Sequence, residues 1–312
     1  MASAVAPDTQ LLYKQIVDEL VALFGEHPHY RPVHAKGILS KGTFRPALTA
    51  SSVSRAAHLQ RDPAAITVRF SDFAGIPTVP DSDPNAGPRG MAIRFHLPGG
   101  AETDIVAHSF DGFPVNTAEE FLAFVRALAA TGPGAVHPTP IETFVAGHPH
   151  SRRFLEGAKP TPTSFATESF YGVNAFRFTN RAAASRYGRY RIRPVAGEAY
   201  LDPAEAAGKP ADFLFAELTE RLARSPVEFR LLVQLAAEGD PVNEGALPWS
   251  DQRAQAELGT IAITSLVPDS AVAERGLIFD PLHLVDGIEP SNDPLLVARS
   301  AIYGVSYQRR HA

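Results

Sequence analysis

Polar and apolar positions change rhythm twice along this chain. Residues 9–24 carry Leu12, Ile16, Leu20 and Leu23 at helical spacing, which predicts an amphipathic helix with Thr9 as N-cap and Gly25 as its stop. From residue 31 to about 200 the helical period gives way to short alternating or apolar runs punctuated by Gly, Pro and Asp. Ala65–Phe70, Met91–Phe95, Ala175–Thr179 and Tyr187–Ile192 are the clearest. Several short strands at irregular spacing predict an antiparallel sheet or barrel rather than a parallel sheet with crossovers. One helix interrupts them, Thr117–Ala130, where Thr117 and Glu120 have the spacing of a capping box. Residues 211–238 read as helical up to a break at Pro226. Val227–Val233 and Gly259–Leu266 then close the strand series, and Asp293–Tyr307 forms a last helix. The fold class expected is α+β, with residues 1–27 as a helical arm and 28–312 as the main domain.

Composition narrows the chemistry. The chain has 312 residues, 45% of them hydrophobic, and a formal net charge of −5. That suits a globular domain and gives no basic surface for nucleic acid. Charge or proline breaks every long apolar run, so no membrane span is expected. The first eight residues lack a basic leader segment, which predicts a cytoplasmic protein, or a periplasmic one if a leader has been removed. With no cysteine, disulfides, thiolate catalysis and cysteine-held metals are excluded, and only two methionines are open to oxidation.

Near the C-terminus stands Gly287-Ile-Glu-Pro-Ser-Asn-Asp-Pro, followed by Arg299 and, one helical turn on, Tyr303. A phenol ordinarily titrates at about 10, and a guanidinium on the same helix face favours its anion, a hard ligand suited to ferric iron. Arg31-Pro-Val-His34-Ala-Lys-Gly37 and Val68-Arg69-Phe70-Ser71 lie at the other end. In that order the three segments resemble the haem catalase family, and the short catalase-related peroxidases above all. Arg89-Gly-Met-Ala-Ile-Arg-Phe95, Tyr171-Gly-Val-Asn174-Ala-Phe176, Trp249 and Phe279-Asp-Pro281 fit the same family, so the resemblance spans about residues 28–310.

What the resemblance implies is specific. The fold would be a catalase-like antiparallel β-barrel with flanking helices enclosing haem b, with Tyr303 as iron ligand and Arg299 beside it. His34 would lie on a strand as the distal acid–base, oriented by Ser71. Arg31, Arg69 and Arg310 would hold the propionates, while Phe113 and Phe121 would wedge the porphyrin. His108 stands where the family has an asparagine; a histidine is larger and titrates, which argues against efficient dismutation unless it merely lines the rim. Asn174 stands where the family often has a histidine, and its role is open. Full-length catalases carry longer wrapping segments, and a chain ending at Ala312 implies a more accessible haem edge. The activity expected is therefore reduction of hydrogen peroxide, or organic peroxides, by organic donors, with weak dismutation, in a homodimer. A small catalase is the alternative. A lipid hydroperoxide isomerase is disfavoured because Val33 replaces the threonine that marks such enzymes, and a haem carrier would leave His34 and Ser71 unexplained.

Overall fold

The computed structural model describes residues 7–311; the first six residues of the expected arm lie outside it. Ten strands form one antiparallel sheet: β1 (Gly37–Pro46), β2 (Ala64–Ser71), β3 (Gly90–His96), β4 (Glu102–His108), β5 (Phe170–Tyr171), β6 (Phe176–Thr179), β7 (Ser185–Pro194), β8 (Val227–Leu235), β9 (Gln255–Leu266) and β10 (Ile288–Pro290). Its order is β10-β6-β7-β5-β4-β3-β2-β1-β9-β8, and a further β7–β8 pairing closes eight of the strands into a barrel. Closure removes the open edges of those strands. β6 and β10 continue outward from β7.

Helices of eight or more residues are α1 (Pro7–Phe24), α2 (Ala118–Ala129), α3 (Pro140–Gly147), α4 (Pro149–Glu156), α5 (Phe213–Leu222) and α6 (Pro294–Arg310). α1 begins two residues before the expected cap, so Thr9 lies inside its first turn. Gly25, at φ +88°, ends it as predicted by donating to the Val21 carbonyl. Thr117 caps α2 through the Glu120 N–H, but the Glu120 carboxylate reaches back to Asn116 N–H, one residue before the cap, so the box is only half formed. The helical stretch expected to run to a break at Pro226 stops at Leu222, and the strand expected at Val227–Val233 is present as β8. Val227, its first residue, faces the barrel core.

Period-two alternation puts Ile66, Val68 and Phe70 of β2 inside the barrel, where Phe70 stacks on Phe165 at 5.1 Å. Each fully buried Phe contributes about 1.5–3 kcal/mol. The same alternation turns Arg69 and Ser71 to the outer face. A second core covers that face: Ile16, Val17 and Leu20 of α1 pack with Leu122 and Val125 of α2 and with Ala298 and Ile302 of α6. Between barrel wall and helical layer the packing leaves a cleft.

Candidate active site

The cleft holds about 1410 Å³ of empty space, open solvent at its mouth included. Strand register builds one wall. Gly37 pairs with Ser71, Ser71 with Gly90, and Gly90 with His108, so these four residues form one row across β1, β2, β3 and β4. Both glycines are required by space. A Cβ on Gly90 would stand 2.5 Å from Ser71 Oγ and 2.9 Å from His34 Nδ1, and one on Gly37 would stand 2.2 Å from the Arg69 guanidinium.

His34 lies in the turn before β1 and not on a strand, which corrects the expectation. Its φ of +56° is left-handed, a conformation costing a non-glycine residue about 1–3 kcal/mol. Neighbours hold it there: its N–H donates to Phe73 O at 2.7 Å, its carbonyl accepts from Arg69 Nη2 at 2.9 Å, and the Phe73 ring meets the imidazole edge-on at 5.5 Å. The strained backbone aims the ring so that Nδ1 sits 3.0 Å from Ser71 Oγ. When Nδ1–H donates to that hydroxyl, Nε2 keeps its lone pair for the cleft. Burial, then the charges of Arg69 and other neighbours, lowers the imidazole to about 3, so it is neutral at pH 7.

His108 ends β4, and its ring lines the cleft wall, 8% exposed, rather than its rim. Burial, helped by Arg299 and Lys159, lowers it to about 3, so it does not titrate near neutrality as expected. Its Nδ1 accepts from Phe110 N–H at 3.3 Å, which leaves the proton on Nε2, a buried atom with no partner among the described residues. The result is a neutral N–H donor, the chemical equivalent of an asparagine amide.

α6 forms the opposite wall. Asp293 caps it by accepting from Leu295 N–H at 2.9 Å, and Pro294 occupies its first turn. Arg299, Tyr303, Ser306 and Arg310 follow at helical spacing and all line the cleft. Arg299 donates to the Tyr303 oxygen from Nη2 at 2.9 Å and from Nε at 3.2 Å. Behind it lies Asn174, whose part could not be read from the sequence. Its Oδ1 accepts from Arg299 Nη1 at 2.5 Å and its Nδ2 donates to Asp293 Oδ2 at 2.8 Å. One buried amide thus ties the cap of α6 to the arginine that faces the phenol.

Arg31, Arg69 and Arg310 converge at one end of the cleft. Arg69 Nε donates to Glu274 Oε2 at 2.5 Å, Arg31 Nη1 to the same oxygen at 3.3 Å, and Arg31 and Arg310 share the Leu277 carbonyl. Nothing in the sequence marked Glu274, which sits in a short 3₁₀ turn. Three guanidiniums face one carboxylate, and Arg310 Nε and Nη1 are buried without partners among the described residues. Burial and mutual repulsion hold Arg31 and Arg310 below the usual arginine range. The unbalanced charge and orphaned donors fit a ligand bearing two carboxylates. Phe113 and Phe121, 5.6 Å apart, line the apolar side with Phe154. Trp249 is not part of the cleft lining: its indole stacks under Arg189 at 4.3 Å. These donors, a phenol and an apolar slot suit haem.

Known proteins resemble this chain in sequence and fold. Residues 8–312 match the catalase family model. The chain is 35% identical to a catalase-related peroxidase of Mycolicibacterium paratuberculosis, over 99% of this chain and 96% of that protein. It is 32% identical to a catalase-related peroxidase of Synechococcus elongatus, over 99% and 90%. A fungal catalase crystal structure superposes with a TM-score of 0.79 at 22% identity, over 99% of this chain and 64% of that one, a likeness of fold alone. The chain belongs to the catalase family, whose members are haem enzymes. Among the described residues no helix is long and apolar enough to cross a membrane.

Proposed function

We propose that this chain holds haem b and reduces hydrogen peroxide with electrons from organic donors. The observation that carries the reading is one cleft lined both by a phenol braced by arginine, Tyr303 with Arg299, and by an imidazole braced by a hydroxyl, His34 with Ser71. The relatives named catalase-related peroxidases support it. Tyr303 would hold the iron, Arg31, Arg69 and Arg310 would take the propionates, and Phe113 and Phe121 would pack on the porphyrin. Bound there, haem supplies a ferric centre that peroxide oxidises and donors restore.

The chain's own work is proton handling. His34 Nε2 takes a proton from one peroxide oxygen and returns it to the other, so that water leaves. Ser71 fixes the ring and transfers no proton. His108 Nε2–H donates to peroxide without changing charge. Burial is the main cause of the lowered His34 value and the nearby arginines add to it; two propionates would offset only the arginines' share. A second reading, dismutation alongside peroxidation, is favoured by the neutral donor at His108.

The test is His34→Ala in the haem-loaded protein, followed by stopped-flow absorption on adding peroxide. Oxidation should slow by about 10²–10⁴-fold with haem retained. Oxidation at the wild-type rate removes His34 from the role.

A further inference from the structure

We propose that Tyr200, reached through Tyr171, is a surface site at which aromatic donors deliver electrons to the peroxide-oxidised protein. The proposal rests on the peroxide-reducing function above. The row that builds the cleft wall does not stop at His108, because His108 pairs with Tyr171 of β5, and Tyr171 with Arg191 of β7. Residues opposite one another in an antiparallel pair project to the same face, and adjacent strands lie about 4.8 Å apart. Tyr171 therefore stands one strand beyond His108, outside the cleft wall.

Its ring lies beside two guanidiniums, with Arg191 at 5.2 Å and Arg193 at 4.8 Å from the centroid, and Arg193 Nη1 donates to its hydroxyl at 2.9 Å. Arg193 also reaches Glu198 at 3.4 Å, two residues before Tyr200. Ala199 N–H donates to Thr167 O at 3.2 Å, which lays Tyr200 beside Glu168. Tyr200 is 38% exposed, and Arg193, which holds the Tyr171 hydroxyl, reaches the same Glu198–Tyr200 segment. The two phenols thus link the outer side of the cleft wall to solvent.

A phenol gives up an electron most readily when its proton leaves in the same step, so a redox-active tyrosine needs a base at its oxygen. The Tyr200 hydroxyl donates to Glu168 Oε1 at 3.0 Å, and among the described residues none of the seven other tyrosines donates to a carboxylate. Glu168 is 3% exposed, and burial lifts its carboxyl to about 7, a stronger base than an ordinary glutamate at about 4.3. Tyr307, one turn beyond Tyr303, is the rival on α6, but its hydroxyl has no such acceptor among the described residues.

The balance is simple. The Tyr200 O–H bond breaks, its proton goes to Glu168 Oε1, and its electron fills one of the two oxidising equivalents that a peroxide leaves on the cofactor. An aromatic amine or phenol then loses one electron to the Tyr200 oxygen and one proton to solvent, while Glu168 returns its proton to Tyr200. Two donors so oxidised match one peroxide reduced to two waters.

The experiment uses haem-loaded wild type, Tyr200→Phe, Tyr171→Phe and Glu168→Gln. Each is treated with hydrogen peroxide and a nitrone spin trap, and the adducts are located by peptide mass spectrometry. Wild type should carry the adduct on Tyr200, and each variant should lose most of it. Oxidation of o-dianisidine should fall by about ten-fold in Tyr200→Phe, while the peroxide-driven Soret change keeps its wild-type rate. A normal Soret response with adducts only on Tyr307 or elsewhere overturns the proposal, as does undiminished o-dianisidine oxidation in Tyr200→Phe. A wild-type Soret band that ignores peroxide overturns the underlying function as well, which separates the two failures.

Discussion

Replacing Asn174 by alanine tests the link between barrel and proximal helix. Asn174 is 3% exposed, and it bridges Arg299 Nη1 at 2.5 Å and Asp293 Oδ2 at 2.8 Å. Hydrogen bonds to charged groups are worth about 1.5–3 kcal/mol each, so losing both costs about 3–6 kcal/mol if neither group finds a new partner. Both keep other bonds, Asp293 to Leu295 N–H and Arg299 to Tyr303, which puts the expectation at the lower end, about 3 kcal/mol. Urea unfolding of the haem-free protein measures that loss. Absorption spectra of the haem-loaded variant report the second effect, because an arginine freed from Asn174 no longer holds its aim at the phenol. Asn174→His should restore much of both, since a neutral imidazole can donate to Asp293 and accept from Arg299. Asn174→Ala with stability within about 0.5 kcal/mol of wild type and an unchanged spectrum refutes the bridging role.

Two further outcomes follow from buried groups elsewhere. Gly90→Ala should push Ser71 Oγ and His34 Nδ1 apart, costing about 1–3 kcal/mol in denaturant unfolding and slowing the reaction with peroxide; a variant equal to wild type in both contradicts the close approach. His58, 1% exposed beside Phe95, is lowered by burial to about 3 and is uncharged in the fold, whereas in the unfolded chain it takes up a proton near 6.5. The stability tied to its neutral form is present above pH 6.5 and is lost as pH falls towards 3. Between pH 7 and 5 wild type should therefore lose about 2 kcal/mol more than His58→Leu in parallel denaturation curves, and curves of equal slope refute the assignment.

Much of the site was legible because its segments resemble a known family, and two of its pairs are also local in sequence. Arg299 and Tyr303 are one helical turn apart, and Arg69 and Ser71 share a strand face, so spacing alone brings each pair together. The gaps arose where contacts are long-range or where backbone strain decides. Asn174 is 119 residues from Asp293 and 125 from Arg299, and no periodicity joins them. Glu274 meets Arg69 across 205 residues. The family resemblance places His34 on a strand, but contacts from Phe73 and Arg69 hold a left-handed turn that no propensity encodes. Val227–Val233 was legible as a strand because Pro226 breaks the helix before it, and its pairing with β7 and β9 closes the barrel.

The central claim is that Tyr303 ligates haem in this cleft. Its most direct test is the absorption spectrum of wild type and Tyr303→Phe after identical haem loading, with retained haem quantified on the same samples. The account predicts a high-spin ferric spectrum for wild type, and for the variant either little retained haem or a strongly altered Soret band. A Tyr303→Phe protein that retains haem fully with the wild-type Soret band would contradict it.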